Sequence, residues 1–280
     1  MIQEFLRAAL AEDLGELGDV TSQATVPEDA QAGAVIVART GGCIAGLATA
    51  LHTFHIVDES MRSSAFVSPG AVVEAGTQLG SVQGHARAIL SAERVALNIL
   101  GHLSGVATAT RAFTDAVVGT GATIVDTRKT TPGLRLLEKR AVLAGGGQNH
   151  RMGLYDAVLI KDNHAEAVGS PAAAVRRARN HVGDTVKIEV EIDDLADLES
   201  VIEAGADIVL LDNMDPQTIR AAVHHAAGRC VLEASGGITL ETVRAVAETG
   251  VDLISVGWIT HSAPALDVGL DFVADLSAPR

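Results

Sequence analysis

Apolar residues in this chain recur at two different periods, and the switches between them divide it into parts. Residues 1–13 place Ile2, Phe5, Leu6, Ala9 and Leu10 on one helical face. The acidic stretch EDLGELGD, residues 12–19, leads to Val20-Thr21-Ser22 and reads as a solvated turn rather than a metal loop. Across residues 32–85, short apolar runs alternate with glycines: AVIVA at residues 34–38 predicts a strand and Gly41-Gly42 a turn. From Ala88 to about Val118 the spacing turns helical, with Ile89, Leu97 and Leu100 as core candidates. Ser104-Gly105 is expected to separate two helices there.

From residue 122 onward, apolar runs of strand length alternate with helical segments. Thr123-Ile124-Val125 ends in Asp126-Thr127-Arg128-Lys129-Thr130, and a helix with Leu134, Leu137 and Ala141 on one face follows. Residues 157–160 form the second run and stop at Lys161-Asp162-Asn163-His164. Ser170-Pro171 then opens a helix as N-cap and first residue. The third run, residues 186–192, carries Glu189 and Glu191, and the fourth, 208–211, ends in Asp212-Asn213. The fifth, Cys230-Val231-Leu232, runs into Glu233-Ala234-Ser235-Gly236-Gly237. The sixth, 253–256, ends in Gly257 and then Trp258-Ile259-Thr260-His261.

Six such units with short connections imply a parallel sheet. A closed eight-unit barrel typically needs about 250 residues, more than this segment supplies. An incomplete β/α (TIM-like) barrel over residues 106–262 is therefore expected. Before it, residues 1–105 form a small α/β sandwich domain. After Pro264 the residues Leu266, Val268, Leu270 and Phe272 follow period two, so residues 263–280 should return as a strand to that first domain.

Composition narrows the picture. Aromatic residues make up only 2% of the chain, so Ala, Val, Leu and Ile must fill the core. The net charge of -14 argues against generic nucleic-acid binding. Cys43 and Cys230 lack metal-ligand spacing and read as free thiols of a reducing compartment. The N-terminus, with Glu4, Glu12 and Asp13, does not look like a signal peptide, and no apolar run approaches the roughly 18 residues of a membrane span. A soluble cytoplasmic protein is expected. The phrase VSPGAVVEAGTQLG, residues 67–80, resembles the hammerhead phrase of biotinyl and lipoyl domains. Those carriers need an attachment lysine, and no lysine precedes Lys129, so the first domain reads as scaffold.

The chemistry gathers at the strand ends: Arg128, Lys129, Lys161, Glu191, Asp212 and Ser235. In a β/α barrel this end carries the active site. The stretch GGGQNHRMGLYDAVLIKDNH, residues 145–164, adds His150 and Arg151 from a loop to Lys161 from a strand end. Read alone, it is equally compatible with a helix-capping glycine and an ordinary solvated strand end. Its recurrence in the downstream units favours the site. Such cations repel one another unless a polyanion fills the space between them. Arginine pairs with carboxylate and phosphate through two parallel hydrogen bonds. Glycine-rich loops after the last strands, Ser235-Gly236-Gly237 and Gly257, suit a phosphate, and Glu191 and Asp212 suit ribose hydroxyls or Mg²⁺. By spacing alone Arg94, in Ser91-Ala92-Glu93-Arg94, reads as a surface arginine.

The segments SAERVALNILGHLSG, DTRKTTPGLR, GGGQNHRMGLYDAVLIKDNH, EVE, LLDN, ASGGI and GVDLISVG resemble the quinolinate phosphoribosyltransferase family over residues 91–262, and EDLGELGDVTS also fits. The resemblance implies an N-terminal α/β domain of hammerhead type packed on an incomplete β/α barrel. It implies transfer of a phosphoribosyl group from 5-phosphoribosyl 1-pyrophosphate (PRPP) to quinolinate, with loss of carbon dioxide, to give nicotinate mononucleotide for NAD biosynthesis. By the same resemblance, Arg128, His150, Arg151 and Lys161 take the quinolinate carboxylates, and Lys129 lies near the pyrophosphate. Glu191 and Asp212 take the ribose and Mg²⁺, and Ser235, Gly236, Gly257 and His261 take the 5-phosphate. Arg94 would reach the site of a partner subunit in a homodimer, or in a higher oligomer built from it. Lys129, Lys161, Glu191 and Asp212 are the catalytic candidates. Three other readings stay open: a transferase for nicotinate or another ring acid, including the molybdenum-associated paralogues; a Schiff-base aldolase through Lys161; and a non-catalytic binding module.

Overall fold

The computed structural model describes residues 2–273. They divide into two compact units. The first takes in the described residues up to Ala109, Leu143–Gly145, and those from Ala263 onward; the second is Thr110–Val142 with Gly146–Ser262.

In the first unit the chain runs through α1 (Ile2–Leu14), α2 (Val20–Thr25), β1 (Gln31–Ala38), β2 (Gly42–Cys43), α3 (Leu47–Val57), β3 (Arg62–Ala65), β4 (Val72–Val73), β5 (Gln78–His85) and α4 (Ala86–Ala116), which crosses into the second unit after Ala109. The second unit holds β6 (Thr123–Val125), α5 (Arg135–Ala144, of which Leu143 and Ala144 count with the first unit), β7 (Val158–Ile160), α6 (Asp162–Val168), α7 (Pro171–Val182) and β8 (Ile188–Ile192). It continues through α8 (Leu198–Glu203), β9 (Ile208–Asp212), α9 (Pro216–Ala226), β10 (Val231–Ser235), α10 (Val243–Ala247), β11 (Leu253–Ser255) and α11 (Trp258–His261). The chain then returns to the first unit with β12 (Val268–Val273).

The first unit is built on an antiparallel sheet of order β12-β1-β5-β3. The expected returning strand is present: Val268 lies opposite Ala38 and Phe272 opposite Ala34. The remainder of that tail, residues 274–280, lies outside the described residues. The sheet's core face packs Ile36, Leu79 and Val82 against Phe54 of α3 and Ile89 and Leu100 of α4. Each such side chain contributes about 1.5–3 kcal/mol when taken out of water.

The acidic stretch ends in a helix cap: Asp19 accepts from the Ser22 N–H at 3.0 Å at the start of α2. One local expectation is corrected. Ser104-Gly105 does not separate two helices, because α4 runs unbroken through it. The glycine serves close approach. A Cβ on Gly105 would stand 2.1 Å from the Pro264 carbonyl oxygen, and one on Gly101 would stand 2.8 Å from that of Leu266. The Leu266 N–H donates to the Gly101 carbonyl at 2.9 Å, so the returning segment lies directly on the helix. Ser104 is wholly buried and exchanges hydrogen bonds with both the N–H and the carbonyl of Ala45.

The second unit carries a parallel sheet of order β6-β11-β10-β9-β8-β7. The six strands follow one another around the sheet except that β6 joins β11 instead of β7. The barrel is thus open between its first and second strands. There Gln148, in the loop before His150, bridges to Val125. Strand residues such as Ile124, Ile160, Val190, Val209, Leu232 and Ile254 are buried, as a sheet covered on both faces requires. The expected cap at Ser170 is present, accepting from the Ala173 N–H at 3.2 Å, and Asp215 caps α9 in the same way, accepting from the N–H groups of Gln217 and Thr218. Among the described residues no helix is long and apolar enough to cross a membrane.

Candidate active site

The strand ends of the second unit open into two adjoining chambers. One, of about 570 Å³, is lined by Arg128, Lys129, His150, Arg151, Lys161, Glu191, Asp212, Ser235 and Gly236. The other, of about 470 Å³, is lined by Lys129, Ser235, Gly236, Gly257 and His261. They share Thr127, Lys129, Ser255 and the 235–237 loop. Of the residues selected from the sequence only Arg94 lines neither; it sits exposed on α4.

The first chamber is built for negative charge. Arg128 lies on the loop after β6, and its Nε is buried without a hydrogen-bond partner. A buried donor left in this state awaits an acceptor. Burial, and next the charge of Arg128, lower the pKa of Arg151. Lys161 follows β7, is half-exposed, and pairs with Glu191 at the end of β8. It is therefore engaged with a carboxylate instead of standing alone in the apolar pocket that a Schiff-base lysine uses.

His150 lies deeper. Its Nε2 reaches Glu189 at 2.8 Å and Glu233 at 3.6 Å, while its Nδ1 accepts from the Arg151 N–H at 2.7 Å. Both glutamates are buried, and one oxygen of each, Glu189 Oε1 and Glu233 Oε2, lacks a hydrogen-bond partner. Burial pushes the Glu233 carboxyl up to about 7; Glu189 adds to this, while His150, Ser255 and Lys161 oppose it. For His150, burial disfavours the charged ring, but the hydrogen bond and charge of Glu189 and the charge of Glu233 prevail over burial and Lys139, and its pKa is raised.

The signs of these two shifts agree. As pH rises, His150 gives up a positive charge and Glu233 gains a negative one. Both groups also withdraw stability from the folded chain over that range: Glu233 between 4.5 and about 7, His150 above its ordinary 6.5. Carboxylate binding in this chamber is therefore expected to weaken as pH passes upward through about 7. Calorimetric titration of the ligand at several pH values measures it. Glu233→Gln should flatten the profile, and affinity that climbs with pH would contradict both assignments.

Glu191, Asp193 and Asp212 bring carboxylate oxygens within 4.8 Å of one another. Such an all-oxygen set suits Mg²⁺. Glu191 Oε2 pairs with Lys161, and Asp212 Oδ2 accepts from Asn213 Nδ2 at 2.6 Å, which leaves one oxygen on each for a cation. The second chamber is formed differently, by loop backbone with Phe113 and Trp258 as an aromatic wall, their ring centroids 6.3 Å apart. Gly236 here must be glycine. Its φ is +95°, and a Cβ would stand 2.1 Å from Asn213 Oδ1.

Glu189, Glu233, Asp193, Thr127 and Ser255 were not selected from the sequence. Strand periodicity holds the signal for three of them. Glu189, Glu233 and Ser255 stand two residues before Glu191, Ser235 and Gly257, and so face the same way along their strands.

Strand-end cations set against carboxylates, beside a chamber of glycine loops, define a β/α-barrel enzyme for multiply anionic substrates. Comparison with known proteins makes the class specific. The domain described as quinolinate phosphoribosyl transferase, C-terminal domain, matches residues 106–271, and the corresponding N-terminal domain matches residues 19–104. The chain is 44% identical to a probable nicotinate-nucleotide pyrophosphorylase [carboxylating] of Bacillus subtilis, over 96% of this chain and 93% of that one. It is 42% identical to a mitochondrial quinolinate phosphoribosyltransferase [decarboxylating] of Nicotiana tabacum, over 97% and 82%. The solved nicotinate-nucleotide pyrophosphorylase of Francisella tularensis superposes with a TM-score of 0.93 at 39% identity, covering 97% of this chain and 96% of that one. The chain belongs to the quinolinate phosphoribosyltransferase family.

Proposed function

We propose that the enzyme transfers the phosphoribosyl group of PRPP to the ring nitrogen of quinolinate and releases pyrophosphate and carbon dioxide, leaving nicotinate mononucleotide for NAD biosynthesis. The observation that carries this reading is the chamber where Arg128, His150, Arg151 and Lys161 converge, with a buried Arg128 donor lacking a partner. Two carboxylates on adjacent ring carbons answer that need, and nicotinate offers only one. The chamber next to it suits the 5-phosphate, with Ser235, Gly236, Gly257 and His261 on its wall.

The ring nitrogen attacks C1 of the ribose as pyrophosphate departs. Lys129 lines both chambers, which supports a role beside the leaving group. Glu191 and Asp212 stabilise positive charge developing on the sugar. Arg128, His150 and Arg151 orient the ring through its carboxylates and hold it against rotation. Glu191, Asp212 and Asp193 would hold Mg²⁺, which supplies charge neutralisation to the pyrophosphate when bound. Once ribosylated, the ring nitrogen is cationic and stabilises the electron pair left on the adjacent ring carbon as its carboxylate departs as carbon dioxide; that carbon then takes a proton from water, which completes the nicotinate ring. Incubation with quinolinate, PRPP and Mg²⁺ should release carbon dioxide and pyrophosphate in equal amounts. Pyrophosphate without carbon dioxide would point to another ring acid.

The same reading makes the enzyme a homodimer with shared sites. Its support is that Arg94 is exposed and lines neither chamber, although it lies in a family motif. Arg94→Ala and Lys161→Ala homodimers should each be nearly inactive. Unfolded and refolded together, they should regain activity, because one site of each mixed dimer then has both cations. If mixed dimers form and activity stays absent, Arg94 does not serve a partner's site. The same reading places the enzyme in a reducing compartment such as the cytoplasm, in keeping with two cysteines that lack metal-ligand spacing.

A further inference from the structure

Beneath the cation cluster lies an ion pair that touches no substrate chamber. Asp126 follows β6 and Lys139 lies on α5; both side chains are wholly buried. Lys139 Nζ donates to Asp126 Oδ1 and, at 2.9 Å, to the His150 carbonyl. Asp126 Oδ1 also accepts from the His150 N–H at 2.9 Å. With the amide orientation that its neighbours require, Asn149 donates to Asp126 Oδ2 at 2.7 Å and to the Lys139 carbonyl at 2.8 Å. The Asp126 N–H donates to the Gln148 carbonyl at 3.1 Å. Both backbone groups of His150 are thus held by the two side chains of one pair.

The neighbours of the pair extend the pattern. Glu138 Oε2 accepts from the Thr131 N–H at 3.0 Å. Arg135 donates through Nε to Thr130 Oγ1 at 2.9 Å and through Nη1 to the Met152 carbonyl at 3.2 Å. One helix therefore grips the loop that carries Arg128 and Lys129 and the loop that carries His150 and Arg151. These loops meet where the barrel is open, so the regular strand ladder cannot register them; among the described residues a single strand-like bridge, from Val125 to Gln148, links them. Stability is a poor explanation for the pair, since a buried ion pair is often no better than apolar residues of similar volume.

We propose that Asp126 and Lys139 are positioning residues: their pair sets the register between Arg128 on one loop and His150 and Arg151 on the other, and so sets affinity for the ring dicarboxylate. This rests on the quinolinate reading above. An apolar pair would fill the same space but leave the His150 N–H and carbonyl without partners. The loop would then shift until water met them, and its cations would leave their places.

Two electroneutral double variants test this by steady-state kinetics, with quinolinate and PRPP varied separately. Asp126→Leu with Lys139→Met removes every side-chain bond of the pair; Asp126→Asn with Lys139→Met keeps an acceptor for the His150 N–H. The KM for quinolinate should rise roughly 10- to 100-fold in the first and less in the second, the range set by loss of one or two charge-assisted hydrogen bonds. The KM for PRPP should stay within about threefold in both, less than one neutral hydrogen bond would change it. A folded Leu/Met enzyme with wild-type KM for quinolinate would overturn the proposal, as would equal losses for both substrates. Failure of both variants to fold would assign the pair to the fold alone and overturn it too. Wild-type enzyme that turns over no quinolinate would instead remove the substrate reading, a result the variants cannot produce.

Discussion

Quinolinate should exceed nicotinate as substrate by roughly 10³- to 10⁵-fold in kcat/KM, the discrimination typical of a site whose polar groups are left unpaired by the wrong ligand. The first chamber holds Arg128, Arg151, Lys161 and His150 around a single space. The cost of gathering them is visible in the free enzyme, where burial and the charge of Arg128 depress the Arg151 pKa. Two ring carboxylates would relieve that repulsion and give the buried Arg128 Nε an acceptor. Nicotinate has one carboxylate, so it leaves part of the cluster desolvated and unmatched. The comparison needs both acids with saturating PRPP and Mg²⁺, followed by pyrophosphate release. A ratio below about tenfold, worth only 1.4 kcal/mol, would end the dicarboxylate assignment.

Replacing Lys161 by alanine should lower kcat/KM for quinolinate by roughly 30- to 1,000-fold, from a loss of about 2–4 kcal/mol. Two effects add. The substrate loses a cation at the chamber mouth, and Glu191, its side chain only 10% exposed, loses its partner. The freed carboxylate then faces an anionic substrate. The half-exposed position of Lys161 places the expectation below the upper limit for a fully desolvated pair. The fold should survive, since Lys161 is a strand-end residue outside the core, and circular dichroism checks this. A folded variant with near-normal activity would take Lys161 out of the site.

Much of this arrangement was legible because it is local. Apolar runs of strand length, each followed by a helix, imply a parallel sheet, and the polar residue that ends each run must lie at one end of it. Lys161, Glu191, Asp212 and Ser235 follow from that geometry alone. The period-two pattern of residues 266–272 marked the returning strand in the same way. Gly105 misled because a glycine in a helical stretch can mark a break or a close contact, and only the carbonyl of Pro264, 159 positions further on, decides between them.

The sequence by itself thus determined which side chains reach the mouth of the barrel, since backbone period and strand direction are properties of neighbouring residues. Tertiary structure alone decided what stands beneath them. Strand period turns Glu189 and Glu233 the same way as the site residues but does not say what they meet, and nothing along the chain sets Lys139 apart from other helix residues. Curling of the sheet brings β8 and β10 to His150, and packing α5 below the open seam buries Lys139 against Asp126. Such partners come from separate elements, and no periodicity along the chain records the distance between them.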